Sequence, residues 1–226
     1  GRLIRKALKD EENAIVVLLS DHGESLGEHG ELTHGLLLYE PALHVPLLLR
    51  APGALPAGRT VTTPVSLVDL APTVAAMLEL PAQAVAMAPG DGRDLSATLR
   101  KGREPEVGEQ GAETQYPASF GWSPIQALRR AGSKYIAAPR PELYDLVGDP
   151  GEATNLAARR EGEAAELAAR VAALTRATVT PPATVDAETK AKLASLGYLA
   201  GASLATPSGR PLRDPKDAVA LFRSFE

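Results

Sequence analysis

The sequence predicts an α/β chain, and three observations carry that reading. A six-residue apolar run, Ala14-Ile15-Val16-Val17-Leu18-Leu19, ends in a polar, glycine-jointed loop, and a second apolar run, His44 to Leu49, follows it. Two short runs flank Ala131-Gly132-Ser133 in the manner of a hairpin. A long amphipathic helical pattern comes after them, with Leu167, Val171 and Leu174 on one face. A hydrophobic fraction of 44% supports a packed core. The net charge of −4 and the lack of a basic patch argue against a nucleic-acid partner. No cysteine is present, so disulfides are excluded, and no apolar stretch approaches the roughly 20 residues of a membrane helix.

Taken in order, Leu3, Ile4, Ala7 and Leu8 fall on one face of an opening helix. The run 14–19 is short, contains β-branched residues and leads into glycines, which favours a parallel strand covered on both faces. After the loop, residues 36–41 suggest a short helical turn before the strand 44–49. Ala54 to Arg59 reads as a turn and Thr60 to Thr63 as a short strand ahead of Pro64. Leu67, Leu70, Val74, Met77 and Leu78 lie three or four apart, a helix with Asp69 and Pro72 near its start. Residues 81–113, rich in Pro, Gly and Ala, read as loop.

Residues 126–130 and 134–138 form the hairpin, and Glu142 to Leu146 adds a strand. Trp122 and Tyr135 read as packing residues. A helix from about residue 152 to 177 is ended by Thr180-Pro181-Pro182. Residues 187–196 suggest a further short helix, 201–214 a linker, and Asp214-Pro215-Lys216-Asp217 the start of another helix. The expected domains are therefore 1–110, a small subdomain 111–178, and a linker with the start of a further helical region over 179–226.

The chemistry gathers in Ser20-Asp21-His22-Gly23-Glu24-Ser25-Leu26-Gly27-Glu28-His29-Gly30. All four histidines (His22, His29, His34, His44) lie in or just after this string. In open α/β sheets, ligands collect at the carboxyl ends of strands, which is where Asp21 and His22 fall. Neighbouring strand residues point to opposite faces, so the two converge on one ion only if the chain leaves strand geometry there. Gly23 permits such a turn. A carboxylate and an imidazole are half a site, since zinc takes about four donors and calcium about six to eight. The plain alternative is a polar loop in which Asp21 caps a turn and the histidines are solvated.

The longer pattern resembles the sulfatase family of the alkaline phosphatase superfamily. It runs from the Ser-Asp-His-Gly-Glu string through Leu38-Tyr39-Glu40-Pro41, Val45-Pro46-Leu47-Leu48 and Pro52-Gly53 to Val65-Ser66-Leu67-Val68-Asp69-Leu70-Ala71-Pro72-Thr73. Glu142-Leu143-Tyr144-Asp145-Leu146, Asp149-Pro150-Gly151-Glu152 and Asn155-Leu156 resemble the family's C-terminal signature. The resemblance implies the C-terminal part of an alkaline-phosphatase-like α/β/α sandwich with a small antiparallel sheet and a packing helix. It makes Asp21 and His22 ligands of a divalent metal ion, calcium foremost, with manganese and zinc as the other candidates. His34 stands where the family often has a Lys that contacts sulfate; an imidazole titrates near neutrality and suits proton donation to a leaving alcohol. His29 is expected behind these residues, and His44 to be structural.

The family nucleophile, a formylglycine made within Cys/Ser-x-Pro-x-Arg, has no counterpart in this chain. It is expected upstream, in a longer enzyme of which residues 1–226 alone would not turn over. The implied activity is metal-dependent sulfuric ester hydrolysis on a small-molecule or glycan sulfate. A phosphoryl or phosphonate ester hydrolase of the same superfamily and a non-catalytic sulfatase-like binding module remain alternatives. The linker resembles one that joins some bacterial sulfatases to tetratricopeptide repeats, which implies a helical repeat domain after residue 226. By resemblance alone the location is periplasmic, membrane-anchored or extracellular.

Overall fold

The structure, a computed structural model, describes residues 13–81, 92–178 and 211–222. The helices read over residues 1–8 and 187–196, and most of the 201–214 linker, lie outside the described residues. The described elements are β1 (Val16–Leu19), α1 (Glu40–Leu43), β2 (Leu47–Arg50), α2 (Leu70–Met77), α3 (Ser96–Arg100), β3 (Glu109–Thr114), β4 (Ile125–Arg130), β5 (Ser133–Ala137), β6 (Glu142–Asp145), α4 (Glu161–Thr178) and α5 (Val219–Phe222). They divide into two compact units. One contains residues 1–23 and 44–110, the other 24–43 and 111–226. The stretch 24–43 groups with the C-terminal residues rather than with its neighbours in the chain.

In the first unit β1 pairs antiparallel with β2, Val16 opposite Arg50 and Leu19 opposite Leu47. This corrects the expectation of a parallel strand covered on both faces. An apolar run reports a tendency to burial, but not the direction of its partner. Leu18 and Leu48 face each other across the pair and are 48% and 57% exposed. The expected helix 67–78 is present as a 3₁₀ turn, Leu67–Asp69, that leads into α2. Ser66 and Asp69 form a reciprocal capping box, which satisfies the first amides of the turn. The buried Asp69 carboxylate also accepts from the Arg93 amide (2.7 Å) and guanidinium (2.9 Å), so Gly92-Arg93-Asp94-Leu95 is anchored rather than loose. Thr60 to Thr63 is not a strand. The Glu104 carboxylate accepts from the amides of Thr62 and Thr63, which removes the donors a ladder would need. Residues 96–100, expected as loop, form α3.

The second unit is built on the sheet β3-β4-β5-β6. β4 and β5 form the expected hairpin, closed by Ala131 and Gly132 at φ 49° and 88°. Two positive φ values give the turn that matches the strands' right-handed twist. Alternation then sorts the side chains. Leu128, Tyr135, Leu143, Leu167 and Val171 make one buried cluster, against α4. Ala127, Ile136 and Tyr144 make another with Leu36, Leu37, Leu38 and Tyr39. Burying a Leu or Val side chain contributes roughly 1.5–3 kcal/mol, so each face is anchored by several such terms.

α4 begins at Glu161, nine residues later than expected. The segment before it is held in turns by side chains. Asp149 accepts from the Thr154 amide, Asn155 from the amides of Leu143 and Ala157, and Glu152 adopts a left-handed φ of 53°. Asp214 starts the expected helical turn by accepting from the Lys216 amide. Asp214, Ala218 and Val219 are buried, and Arg213 pairs with Trp122, so these residues pack within the second unit.

Candidate functional site

Directly after β1 the chain is held by its own nearest neighbours. The Ser20 hydroxyl donates to the His22 carbonyl (2.6 Å), and the His22 amide donates to Asp21 Oδ1 (3.0 Å). His22 Nδ1 lies 2.8 Å from the Gly23 carbonyl, which can only accept, so Nδ1 carries the proton and Nε2 holds the lone pair of the neutral ring. Nε2 lies 3.8 Å from Asp21 Oδ1. Two ligands each about 2.0–2.5 Å from one ion can stand this far apart, so the pair fits two positions of a divalent metal's shell. Both side chains are open to solvent, 46% for His22 and 87% for Asp21. Among the described residues no group of three or more His, Cys, Asp or Glu is arranged to hold a metal.

The stretch 24–43 is organised from further away. Its left-handed positions are Gly27, His29, Gly30 and Gly35, at φ 121°, 51°, 89° and 97°. The Ser25 amide donates to Thr33 O and the Gly27 amide to Glu31 O, which folds the loop back on itself. Glu31 is almost fully buried and accepts from the amides of Leu36 (2.8 Å) and Leu37 (3.3 Å). Burial pushes its carboxyl up to about 6, while those amides and His34 pull the other way.

His34 Nδ1 lies 3.2 Å from both oxygens of Glu24. A carboxylate accepts, so Nδ1 donates and Nε2 is turned away from that pair. His29 stacks on Tyr39, with ring centroids 3.6 Å apart and planes at 11°, and its Nε2 lies 3.2 Å from the Gly151 carbonyl. The Tyr39 hydroxyl donates to Glu142 (3.0 Å), and burial raises its pKa.

Glu40 is the hub of a buried ion cluster. It pairs with Arg129 (3.0 Å) and with Lys134 (3.2 Å), whose side chain is only 1% exposed. Lys134 also lies 2.8 Å from Glu152, and Glu152 in turn accepts from the Glu40 amide (2.7 Å). Leu-Tyr-Glu-Pro and the C-terminal Asp-Pro-Gly-Glu are thus two halves of one contact. The expected site residues accordingly separate by unit: Asp21 and His22 are side by side in the first, and His29 and His34 belong to the second. Glu24 and Lys134 went unnoticed from sequence. The spacing of Glu24 from His34, ten residues across three left-handed positions, has no simple period to reveal it. A lone Lys in a half-apolar strand was the available signal for Lys134.

Residues 1–80 match the family model described as Sulfatase. The chain is 32% identical over 155 residues to a choline-sulfatase of Rhizobium meliloti (strain 1021), covering 67% of this chain and 28% of that protein. Among solved structures, the phosphonate monoester hydrolase of Agrobacterium radiobacter superposes with a TM-score of 0.64 at 29% identity, over 77% of this chain and 38% of that one. A protein solved in complex with its substrate D-glucosamine-2-N,6-O-disulfate superposes with a TM-score of 0.63 at 26% identity, over 79% of this chain and 38% of that one. The chain spans about a third of the length of the curated relatives it matches. The motif order, the fold and these matches agree: the chain belongs to the sulfatase family, with its alkaline-phosphatase-like fold.

Proposed function

We propose that the protein of which these residues form part is a metal-dependent sulfuric ester hydrolase. The observation that carries this reading is the pairing of Asp21 Oδ1 with His22 Nε2 at 3.8 Å directly after β1, in a chain of the sulfatase family. Asp21 would supply charge to the ion and His22 a neutral nitrogen, its tautomer fixed by Gly23. Calcium is the first candidate, with manganese and zinc next. When bound, such an ion withdraws charge from the ester's non-bridging oxygens. His34 would meet the transferred group or the leaving oxygen as a cation or proton donor, and Glu24 would hold its ring by Nδ1 so that Nε2 does this work. The nucleophile, a formylglycine in the family pattern, would come from sequence other than these residues. Relatives named for choline sulfate and for a disulfated glucosamine support a small-molecule or glycan sulfate as substrate.

A phosphonate ester is the second reading, favoured by the similarity to the phosphonate monoester hydrolase. A tetrahedral anion presents nearly the same target in both cases. Paired assays of the whole protein on 4-nitrophenyl sulfate and 4-nitrophenyl phenylphosphonate separate them, and faster phosphonate turnover would replace the first reading by the second. In the same protein His34→Ala should lower turnover about 10²–10⁴-fold on esters with poor leaving groups, less on activated aryl esters, and leave metal content unchanged. Unchanged rates on both would remove His34 from the reaction.

A further inference from the structure

Leu36 and Leu37 are buried, yet they lie in no helix or strand, so their amides have no ladder to join. One side chain takes both. Glu31, itself 1% exposed, reaches forward five and six residues and accepts from the amides of Leu36 and Leu37. Its carboxylate gives one oxygen to each amide, at the cost of a buried charge.

His34 sits inside the ring of chain that this side chain closes. Ahead of it, the Ser25 amide donates to the Thr33 carbonyl (2.9 Å). That bond sets the next residues outward, Glu24 and His34, opposite each other, and their side chains meet at 3.2 Å. Behind it comes Gly35, left-handed at φ 97°, a position where the backbone turns freely unless its neighbours are held. The Gly35 carbonyl accepts from the Thr114 hydroxyl, and the two amides that follow go to Glu31. His34 therefore stands between two fixed points, Thr33 on one side and residues 35–37 on the other.

We propose that Glu31 is a positioning residue for His34: its carboxylate pins the backbone after His34, so that the ring keeps Nδ1 on Glu24 and Nε2 turned away from it. This deepens the hydrolase reading and rests on the role of His34 in it. The charge of the pin is coupled to the pair it positions. Burial pushes the Glu31 carboxyl up to about 6, the two amides and His34 favour its ionised form, and Glu24 opposes it. Above that pH both oxygens accept. Below it one oxygen carries a proton and becomes a donor, which an amide N–H cannot use. The ionised, clamping form is also the one that burial makes costly to the fold. A side chain that served stability alone would gain by losing the charge, so the use of Glu31 lies in what it holds in place.

The first readout needs no turnover. In nitrogen NMR spectra at about pH 8, where an imidazole is neutral, His34 should be the Nδ1–H tautomer, and Glu31→Gln should convert it to a mixture of both. Amide exchange at Leu36 and Leu37 should quicken about tenfold in that variant while the β4–β5 hairpin stays protected, which separates release of the loop from loss of the fold. Glu31→Asp keeps the charge but is one methylene too short to span both amides, and should show the same release. The unsubstituted chain carries the test as well: protection of Leu37, corrected for intrinsic exchange, should fall as pH drops through about 6. In the whole protein Glu31→Gln should slow turnover about 10- to 100-fold on esters with poor leaving groups, and less on activated aryl esters. Metal content should stay unchanged, and the variant should add almost nothing in a His34→Ala background. Wild-type tautomer and exchange in Glu31→Gln, or protection of Leu37 indifferent to pH, overturns the clamp. If Glu31→Gln releases the ring but His34→Ala leaves every rate unchanged, the hydrolase role of His34 falls and the clamp stands. If His34→Ala slows turnover and Glu31→Gln changes neither ring nor rate, the clamp falls and the hydrolase reading stands.

Discussion

Residues 20–23 and residues 28–40 belong to one unbroken motif, yet they are built in opposite ways. Asp21 and His22 make hydrogen bonds to partners one or two residues away and are open to solvent. The loop after them is held by groups more than ninety residues distant: Glu40 by Lys134 and Glu152, Tyr39 by Glu142, His29 by the Gly151 carbonyl. A loop with three left-handed positions needs an external frame, because no regular element fixes it.

The contrast is broken most directly at Lys134. Lys134→Met removes the cation between two buried carboxylates and strands Glu152, so stability should fall by about 3–5 kcal/mol in denaturant titration. A loss under 1 kcal/mol would mean that the loop does not depend on this frame. Next comes Glu31. Its folded pKa, about 6, lies above the ordinary carboxylate value of 4.5, so the folded state binds the extra proton between those values. Stability should therefore be greatest below about pH 4.5 as far as this group is concerned, and be lost as pH rises through 6. The span is of order 2 kcal/mol. Glu31→Gln, which holds no titrating proton, should flatten that part of the stability–pH curve, and an unchanged slope would show that burial is not the cause.

At the other end, Asp21→Ala and His22→Ala should change stability by no more than about 0.5 kcal/mol in metal-free buffer, as exposed residues with local contacts do. Each should nonetheless reduce metal bound to the whole protein, measured by inductively coupled plasma mass spectrometry, together with turnover. Wild-type metal content in both variants would end their assignment as ligands. The smallest effect, and the sharpest test of the loop, is a double-mutant cycle on Glu24 and His34. If Glu24 acts through His34, Glu24→Ala should slow the whole protein about tenfold alone and add almost nothing once His34 is Ala. Independent, additive losses would show that Glu24 does not work through this ring.

Much of this was legible in the sequence wherever order is local. The hairpin of residues 125–137 follows from alternation around Ala131-Gly132, and the helix after Ser66 from its spacing and its cap. Asp21 and His22 could be seen to be able to meet, and they do lie side by side. What could not be read depends on partners far along the chain. Thr62 and Thr63 look like strand residues until Glu104 occupies their amides. Residues 152–160 look helical until Asp149 and Asn155 take their amides into turns. The direction of β1 is set by β2 and not by its own apolar pattern. Glu40 and Glu152 stood out as parts of two motifs, but only Lys134, in neither motif, shows why the motifs belong together.

The distant framing of the loop has a consequence during synthesis. Glu40 leaves the ribosome 112 residues ahead of Glu152, the residue that receives its amide. At about 5–20 residues per second, that is an interval of roughly 6–20 s. Until β4–β6 follow, from residue 125 on, Leu36, Leu37 and Leu38, later among the best buried of the described residues, have none of that sheet to cover them. A nascent chain in this state displays a short leucine run beside charges that still lack their counter-ions, the kind of segment that chaperones bind. Codon choice or temperature that lengthens the interval should therefore affect the soluble yield of this protein more than substitutions at Asp21 and His22.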